Sequence, residues 1–133
     1  MARILAVDPG LTTGVATREP DGSWTTLNLH DPTGAVLWKL VKQWPWDHVV
    51  LENYASRHAG PDGDQTLRIL GGVWGICITD GIAITVEWPN ERRWKLVAAE
   101  AMLRAVPGAP APTQHQIDSL AHLLNWEARR GNA

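Results

Sequence analysis

The chain has 133 residues, of which 44% are hydrophobic and 20% are charged. These values exclude an intrinsically disordered protein and predict a single domain, residues 1–133, that is large enough to bury a core. The formal net charge of −2 argues only weakly against a nucleic-acid partner, because the basic residues are clustered at 92–95 and 129–130.

The cysteine content and the most apolar segment indicate a cellular compartment. Cys77 is the one cysteine, so no intrachain disulfide can form, which suits a reducing cytoplasm. The first residues of the chain show no signal-peptide pattern. Residues 69–88 are the most apolar, but they contain Asp80 and several glycines, which is atypical of a membrane span. We therefore expect a cytoplasmic protein with no membrane partner.

The first part of the chain predicts an antiparallel meander of three strands. Glycines mark the tight turns between these strands, and the third strand alternates apolar and polar residues. The predicted strands lie at residues 4–8, 15–19 and 24–29. The first strand ends in an acid, Asp8, directly before Pro9 and Gly10, where burying a charge is costly.

The rest of the chain predicts alternating helices and strands. Thr33 is a candidate cap for the first helix. The segment 65–81 is ambiguous: its length favours a helix, whereas Gly71, Gly72 and Gly75 weaken that prediction. The predicted elements, in chain order, are helix 34–44, strand 48–54, a polar loop at 55–64, the ambiguous segment 65–81, strand 82–88, helix 92–106 and helix 113–130. This order predicts an α/β domain in which helices pack on a mixed sheet.

Two strands carry an acid near their ends, and the last helix has a well-defined start. Asp8 and Glu52 each follow an apolar run, although either one alone is more typical of a structural turn or an edge position. Thr113 and Gln116 form the sequence pattern of a capping box, which fixes the beginning of the last helix.

Three further polar residues follow helical spacing in that last helix. His115, Asp118 and His122 are related by i, i+3 and i+7, so they share one face. This face either meets water, which is the simpler reading for His122, or joins the two strand-end acids. Hard divalent cations prefer oxygen ligands and accept imidazole in magnesium- or manganese-type sites. The set therefore predicts a metal site.

Three motifs in this order resemble the RuvC-type Holliday junction resolvases of the ribonuclease H-like superfamily. They are ILAVDPGLTTGVA, VVLENY and HQIDSLAHLL, and the intervening segment LRILGGVWGICITDGIAITVEWPNERRWK also resembles the family. The resemblance implies a ribonuclease H-like α/β fold. Its mixed five-stranded sheet would have three antiparallel strands, then two parallel ones, and be flanked by helices.

The resemblance also implies a site and a reaction. Asp8, Glu52 and Asp118 would be metal-binding acids, and His115 would stand in place of the fourth, usually acidic, ligand. His122 would have a supporting role. The family binds two Mg²⁺ ions per active site, tolerates Mn²⁺, and acts as a homodimer that cuts opposed strands of a four-way DNA junction in recombination and repair.

Phosphodiester hydrolysis accounts for this choice of ligands. A pair of cations about 3.5–4 Å apart activates the attacking water and stabilises the leaving 3′ oxygen. Backbone phosphates would be held by nearby basic residues without base reading. The candidates for this contact are Arg57, Arg68, Arg92, Arg93 and Lys95. The aromatic wedge expected after the glutamate has no phenylalanine counterpart in this chain, and Tyr54 lies nearest to that place.

Three alternatives remain open at this point. One is a less selective nuclease of the same fold that acts on flaps, forks or RNA. Another is a kinase-type nucleotide binder, because DPGLTTG resembles a phosphate loop, although the chain has no second such loop. The third is a nucleic-acid-binding module without catalytic activity.

The composition also suggests a source. Eight tryptophans accompany many alanine, arginine, glycine and proline residues, a pattern typical of GC-rich coding DNA. A small resolvase of this kind would suit a phage, which places the protein in the cytoplasm of a bacterium or of a phage-infected host.

Overall fold

A five-stranded mixed sheet forms the centre of the protein. The computed structural model describes residues 2–10, 12–53 and 61–131. Its strands are β1 (Ile4–Asp8), β2 (Thr13–Arg18), β3 (Trp24–Leu29), β4 (His48–Glu52) and β5 (Ala83–Glu87). Its helices are α1 (Ala35–Gln43), α2 (Pro61–Asp80), α3 (Leu96–Arg104) and α4 (Gln114–Gly131), with a 3₁₀ helix at Pro89–Lys95 before α3.

The sheet has the order β3-β2-β1-β4-β5. The pairs β1–β2 and β2–β3 are antiparallel, and the pairs β1–β4 and β4–β5 are parallel. Three antiparallel strands followed by two parallel ones are the predicted arrangement, so the fold class is confirmed. In the parallel part Val7 pairs with Leu51, and Glu52 pairs with Glu87. The carboxyl ends of β1, β4 and β5 therefore meet at one edge of the sheet.

Helices cover both faces of the sheet. On one face, alternate strand residues such as Ala6 and Val50 pack against α3 and α4. On the other face, Leu5 and Leu51 pack against α1 and α2. Because β1 is central and buried on both faces, its sequence is a continuous apolar run rather than an alternating one.

Helix α2 resolves the ambiguous segment as a helix. Ile69, Val73 and Cys77 recur every four residues and are buried on its inner face, and this burial outweighs the low helix propensity of glycine. Gly72 has a local reason, since a Cβ there would overlap the Trp38 side chain of α1. The helix begins at Pro61, so the described end of the predicted loop 55–64 is helical instead.

Two other predictions about helices need correction. Residues 92–95 are not part of α3 but lie in the 3₁₀ helix, where the Glu91 side chain accepts a hydrogen bond of 2.6 Å from the Trp88 backbone N–H. Such side-chain bonds to nearby backbone favour a short tight helix. At α1 the N-cap residue is Gly34 and not Thr33. Thr33 Oγ1 instead accepts a 3.2 Å bond from the Ala35 N–H, and Asp31 accepts a 2.8 Å bond from the Val36 N–H.

A glycine sets how closely α4 approaches the sheet. A Cβ at Gly14 in β2 would overlap the backbone carbonyl of His115 in the first turn of α4. The absent side chain therefore lets the start of α4 rest directly on the sheet, above the edge where β1 and β4 end. Within the described ranges, none of the helices has the length and apolar character needed to cross a membrane.

Candidate active site

Three parallel strands each deliver a carboxylate to the same edge of the sheet. Asp8 ends β1, Glu52 ends β4 and Glu87 ends β5. Asp8 is 8% exposed and Glu87 only 1%, so these charges lie at or below the protein surface. Strand ends hold their side chains rigidly, which suits a site whose groups must keep a fixed geometry.

Helix α4 adds its own polar face to this edge. Its predicted capping box is confirmed: the Thr113 N–H donates to Gln116 Oε1 at 2.9 Å, and the Gln116 N–H donates to Thr113 Oγ1 at 3.2 Å. From this fixed start, Asp118, His122 and Asn125 follow at i, i+4 and i+7 and are all buried. The helix thus places a carboxylate, an imidazole and an amide against the strand ends.

Arg92 of the 3₁₀ helix lies among these carboxylates. Its Nη1 donates to Glu52 Oε1 at 2.6 Å. Its Nε is 3.1 Å from Asp118 Oδ1, close enough for an ion pair, but it makes no hydrogen bond with any described residue. Asp118 Oδ1 instead accepts a 2.8 Å hydrogen bond from Gln114 Nε2. The guanidinium therefore partly balances two acids, with one buried N–H left over.

Asp8 and Glu52 share a proton. Burial, the hydrogen bond to Glu52 and the charges of Glu52 and Asp118 together raise the pKa of Asp8 to about 9. Burial acts on Glu52 in the same direction, but hydrogen bonds from His122 and Asp8 outweigh it and lower the pKa of Glu52 to about 2. At neutral pH a protonated Asp8 therefore donates to an ionised Glu52.

His122 is completely buried between two glutamates. Its Nδ1 is 2.7 Å from Glu87 Oε1 and its Nε2 is 3.0 Å from Glu52 Oε1. Asn125 Nδ2 donates to the other oxygen of Glu87 at 3.2 Å. Although burial opposes it, these two carboxylates raise the pKa of His122. The reading in which His122 faces water is wrong, because its neighbours on α4 turn that face inward.

The groups at this edge match a divalent cation in their chemistry. Asp8, Glu52 and Asp118 supply hard oxygen donors, and His115 Nδ1 lies 4.0 Å from Asp8 Oδ2. In the structure, the proton between Asp8 and Glu52 and the positive charge of Arg92 balance the negative charge of the acids. A bound cation would balance the same charge. Among residues 2–10, 12–53 and 61–131, no three such donors are yet drawn together as a ready-made metal shell.

The remaining predicted residues are spread more widely. Arg93 is exposed and lies over the Trp94 ring, 4.7 Å from its centroid, and Arg68 is exposed on α2. Lys95 is half-buried in the 3₁₀ helix. Tyr54 and Arg57 fall outside the described residues.

Glu87 and Asn125 are polar residues of this edge that are absent from the predicted site. The signal was present, because Glu87 ends an apolar strand in the same way as Asp8 and Glu52. The predicted strand 82–88 runs on to Trp88, which places Glu87 inside the strand, whereas the observed strand ends at Glu87. A glutamate in such a position gives no indication of a histidine partner 35 residues further along the chain.

Comparison with solved structures finds extensive similarity over the whole chain. Thermus thermophilus RuvC in complex with a Holliday junction substrate aligns at TM-score 0.64 and 20% identity, covering 100% of this chain and 98% of that one. The fowlpox virus Holliday junction resolvase aligns at 0.58 and 15%, covering 98% and 97%. The yeast mitochondrial Holliday junction resolvase Ydc2 aligns at 0.52 and 11%, covering 98% and 81%.

Sequence comparison alone does not reach this result. No family model matches the chain, and no curated protein matches it. At identities of 20% or less, the likeness is one of fold rather than of sequence. The resemblance indicated by the three sequence motifs is thus confirmed in three dimensions: the chain has the fold of the RuvC-type Holliday junction resolvases.

Proposed function

We propose that the protein is a metal-dependent endonuclease that resolves four-way DNA junctions by paired nicks from a homodimer. The observation that carries this proposal is the convergence of Asp8, Glu52 and Asp118 at one edge of a resolvase-type sheet. The charges of Glu52 and Asp118 help to raise the pKa of Asp8, and a perturbed pKa of this kind is typical of functional sites.

The residues of the edge divide the work of hydrolysis. Asp8, Glu52, Asp118 and His115 would hold two Mg²⁺ ions, or Mn²⁺ in their place. Once bound, these ions would supply an activated water and a stabilised leaving 3′ oxygen. Asp8 is central because it lies beside both Glu52 and Asp118. The rigid strand ends hold Asp8 and Glu52 at one edge of the sheet, so only small side-chain movements would be needed to bring them to a cation.

Arg92 would change partner when substrate binds. In the structure it pairs with Glu52 and Asp118, and one of its buried N–H groups has no acceptor in the described part of the chain. A guanidinium binds phosphate oxygens through parallel N–H donors. The release of Glu52 and Asp118 to cations would leave Arg92 free to hold a backbone phosphate next to the cut. Arg68, Arg93 and Lys95 would contact phosphates further out, without reading bases.

A comparison of labelled DNA substrates tests this proposal. We expect Mg²⁺-dependent cutting of an immobile four-way junction, at least tenfold faster than cutting of a fork, a flap, linear duplex or an RNA–DNA hybrid of equal length. The chelator EDTA should abolish it. Equal rates on all substrates would favour the less selective nuclease, and tight junction binding without cutting in either cation would favour the inactive binding module.

Helix α2 offers the surface that a homodimer needs. Leu67, Trp74 and Ile78 are exposed along its outer face, although each is large and apolar. A Cβ at Gly71 or Gly75 would meet nothing within 4 Å among the residues that the structure describes. Glycines on an apolar helix face let a second helix come close, so two copies of α2 would pack against each other about a two-fold axis.

Placing a charge on this face should separate the two subunits. Ile78 is 65% exposed, so Ile78→Asp should leave the monomer folded and yield a monomer by size-exclusion chromatography with light scattering. Paired cuts should then give way to single nicks. Val97→Asp is the matched control, because Val97 is also apolar and 83% exposed but lies on α3. A wild-type protein that runs as a monomer would contradict the dimer.

A further inference from the structure

We propose that His122 is a positioning residue for Glu52, and that Glu87 and Asn125 in turn hold His122 in place. The contact between His122 Nε2 and Glu52 then sets how tightly the carboxylates bind a divalent cation. This inference rests on the proposed function in one respect, namely that Glu52 is a metal ligand. The buried pair of Glu87 and His122, which takes no direct part in hydrolysis, would thereby act on the metal ligand.

Buried residues hold the His122 ring in place. Glu87 is paired in register with Glu52 on the neighbouring strand and is almost wholly buried. One of its oxygens lies 2.7 Å from His122 Nδ1, and the other accepts the 3.2 Å bond from Asn125. With both glutamate oxygens engaged and no exposed surface, the imidazole ring has one orientation open to it.

This orientation aims Nε2 at a single oxygen of Glu52. His122 Nε2 is 3.0 Å from Glu52 Oε1, and Arg92 Nη1 is 2.6 Å from the same atom. The terminal torsion of a glutamate is otherwise broad. Fixing one oxygen prevents rotation of the carboxylate, and this determines where its second oxygen points.

Of the two donors, His122 is the permanent one. The Arg92 side chain is 23% exposed and lies on a short 3₁₀ helix, so a phosphate can recruit it, whereas the His122 side chain is 0% exposed. A buried glutamate–histidine–glutamate chain is also a weak means of stabilising a fold, because apolar residues of equal volume generally do as well. Groups that orient a metal ligand typically change metal affinity about 10–100-fold when they are lost.

Two amide substitutions separate positioning from simple packing. The amide nitrogen of glutamine falls near the place of Nε2, so His122→Gln keeps a donor for Glu52. The amide of asparagine falls near the place of Nδ1, so His122→Asn keeps a donor for Glu87 but none for Glu52. We expect His122→Asn to bind Mg²⁺ at least tenfold more weakly than His122→Gln in calorimetry without DNA. If His122 only satisfied the buried Glu87, the asparagine variant would be the less impaired one.

Cleavage kinetics and a matched control complete the test. For His122→Asn the Mg²⁺ concentration at half-maximal rate should rise at least tenfold, with kcat partly restored at saturating Mg²⁺ and the KM for DNA unchanged. His48→Gln is the control, because His48 also joins β4 to β5, through Thr85 Oγ1 at 2.7 Å, but at the opposite end of the strand from Glu52. It should bind Mg²⁺ like the wild type.

Each outcome decides the question. Equal Mg²⁺ affinities for the two His122 variants would overturn the inference, and so would a loss in His48→Gln as large as that in His122→Asn. If neither His122 variant folds, NMR of the wild type provides the test. The His122 Nε2–H resonance should shift when Mg²⁺ is added, while the His48 ring N–H resonance stays in place. A His122 resonance that does not shift would overturn the inference. A wild type that binds Mg²⁺ but cuts no DNA overturns only the proposed reaction. One that binds no divalent cation overturns both.

Discussion

Asp8→Asn is expected to abolish junction cleavage while leaving junction binding intact. The substitution keeps the shape of the side chain and its ability to hydrogen-bond Glu52. It replaces a carboxyl group that can lose its proton to bind a cation with an amide that cannot. Loss of a group that merely orients a metal ligand costs up to about 100-fold. Loss of the central ligand itself should therefore cost more than about 100-fold in cleavage rate at saturating Mg²⁺, measured with labelled junctions.

The matched control is a second aspartate-to-asparagine change. Asp21 lies in the exposed turn between β2 and β3, where it accepts a 2.9 Å hydrogen bond from the Ser23 N–H. Asp21→Asn removes the same formal charge at the opposite end of the strands from Asp8, and this variant should cut DNA at the wild-type rate. A cleavage rate for Asp8→Asn within tenfold of the wild type would contradict the central role of Asp8.

Much of this site follows from local patterns in the sequence. Asp8 and Glu52 end apolar strands, and parallel strands bring such ends to one edge. The capping box at Thr113 fixes the phase of α4, which in turn fixes the direction in which Asp118 points. These features were predictable because each depends on residues that are close together in the chain.

Other features depend on contacts between distant segments and escape such reasoning. Arg92 meets Glu52 across 40 residues, and no spacing rule indicates that a surface-type residue will turn inward. The segment of α2 is ambiguous in sequence because its glycines lower helix propensity, yet the close fit of Gly72 against Trp38 makes a glycine favourable there. His122 is ambiguous in sequence because a polar helix face can meet either water or buried carboxylates. Tertiary packing, rather than local preference, decides these cases.

The metal-free protein should lose stability as the pH rises from 5 to 9. Asp8 has an ordinary pKa of 3.8 and a pKa of about 9 in the folded protein. Between these values the folded state binds a proton that the unfolded state has released, so the free energy of unfolding falls with rising pH. Glu52 has the opposite shift, from 4.5 to about 2, and its contribution is lost only in acid, below this range. The slope between pH 5 and 9 therefore comes mainly from Asp8. His122, whose pKa is also raised, adds to the fall above its ordinary value of 6.5, whereas His48, whose pKa is lowered, opposes it below that value.

Thermal unfolding in EDTA measures this slope. We expect a fall of at least about 1 kcal/mol across the range, or about 4 °C in Tm for a chain of this size. Asp8→Asn should reduce the slope to the part that belongs to the histidines and raise Tm at pH 8, because an amide need not take up a proton when the chain folds. Saturating Mg²⁺ should also flatten the slope, because cation binding replaces the shared proton. Calorimetry at pH 7 in buffers of different ionisation enthalpy should then detect about one proton released on Mg²⁺ uptake. A metal-free Tm that is constant or rises with pH would mean that Asp8 is already ionised and that the carboxylates do not share a proton.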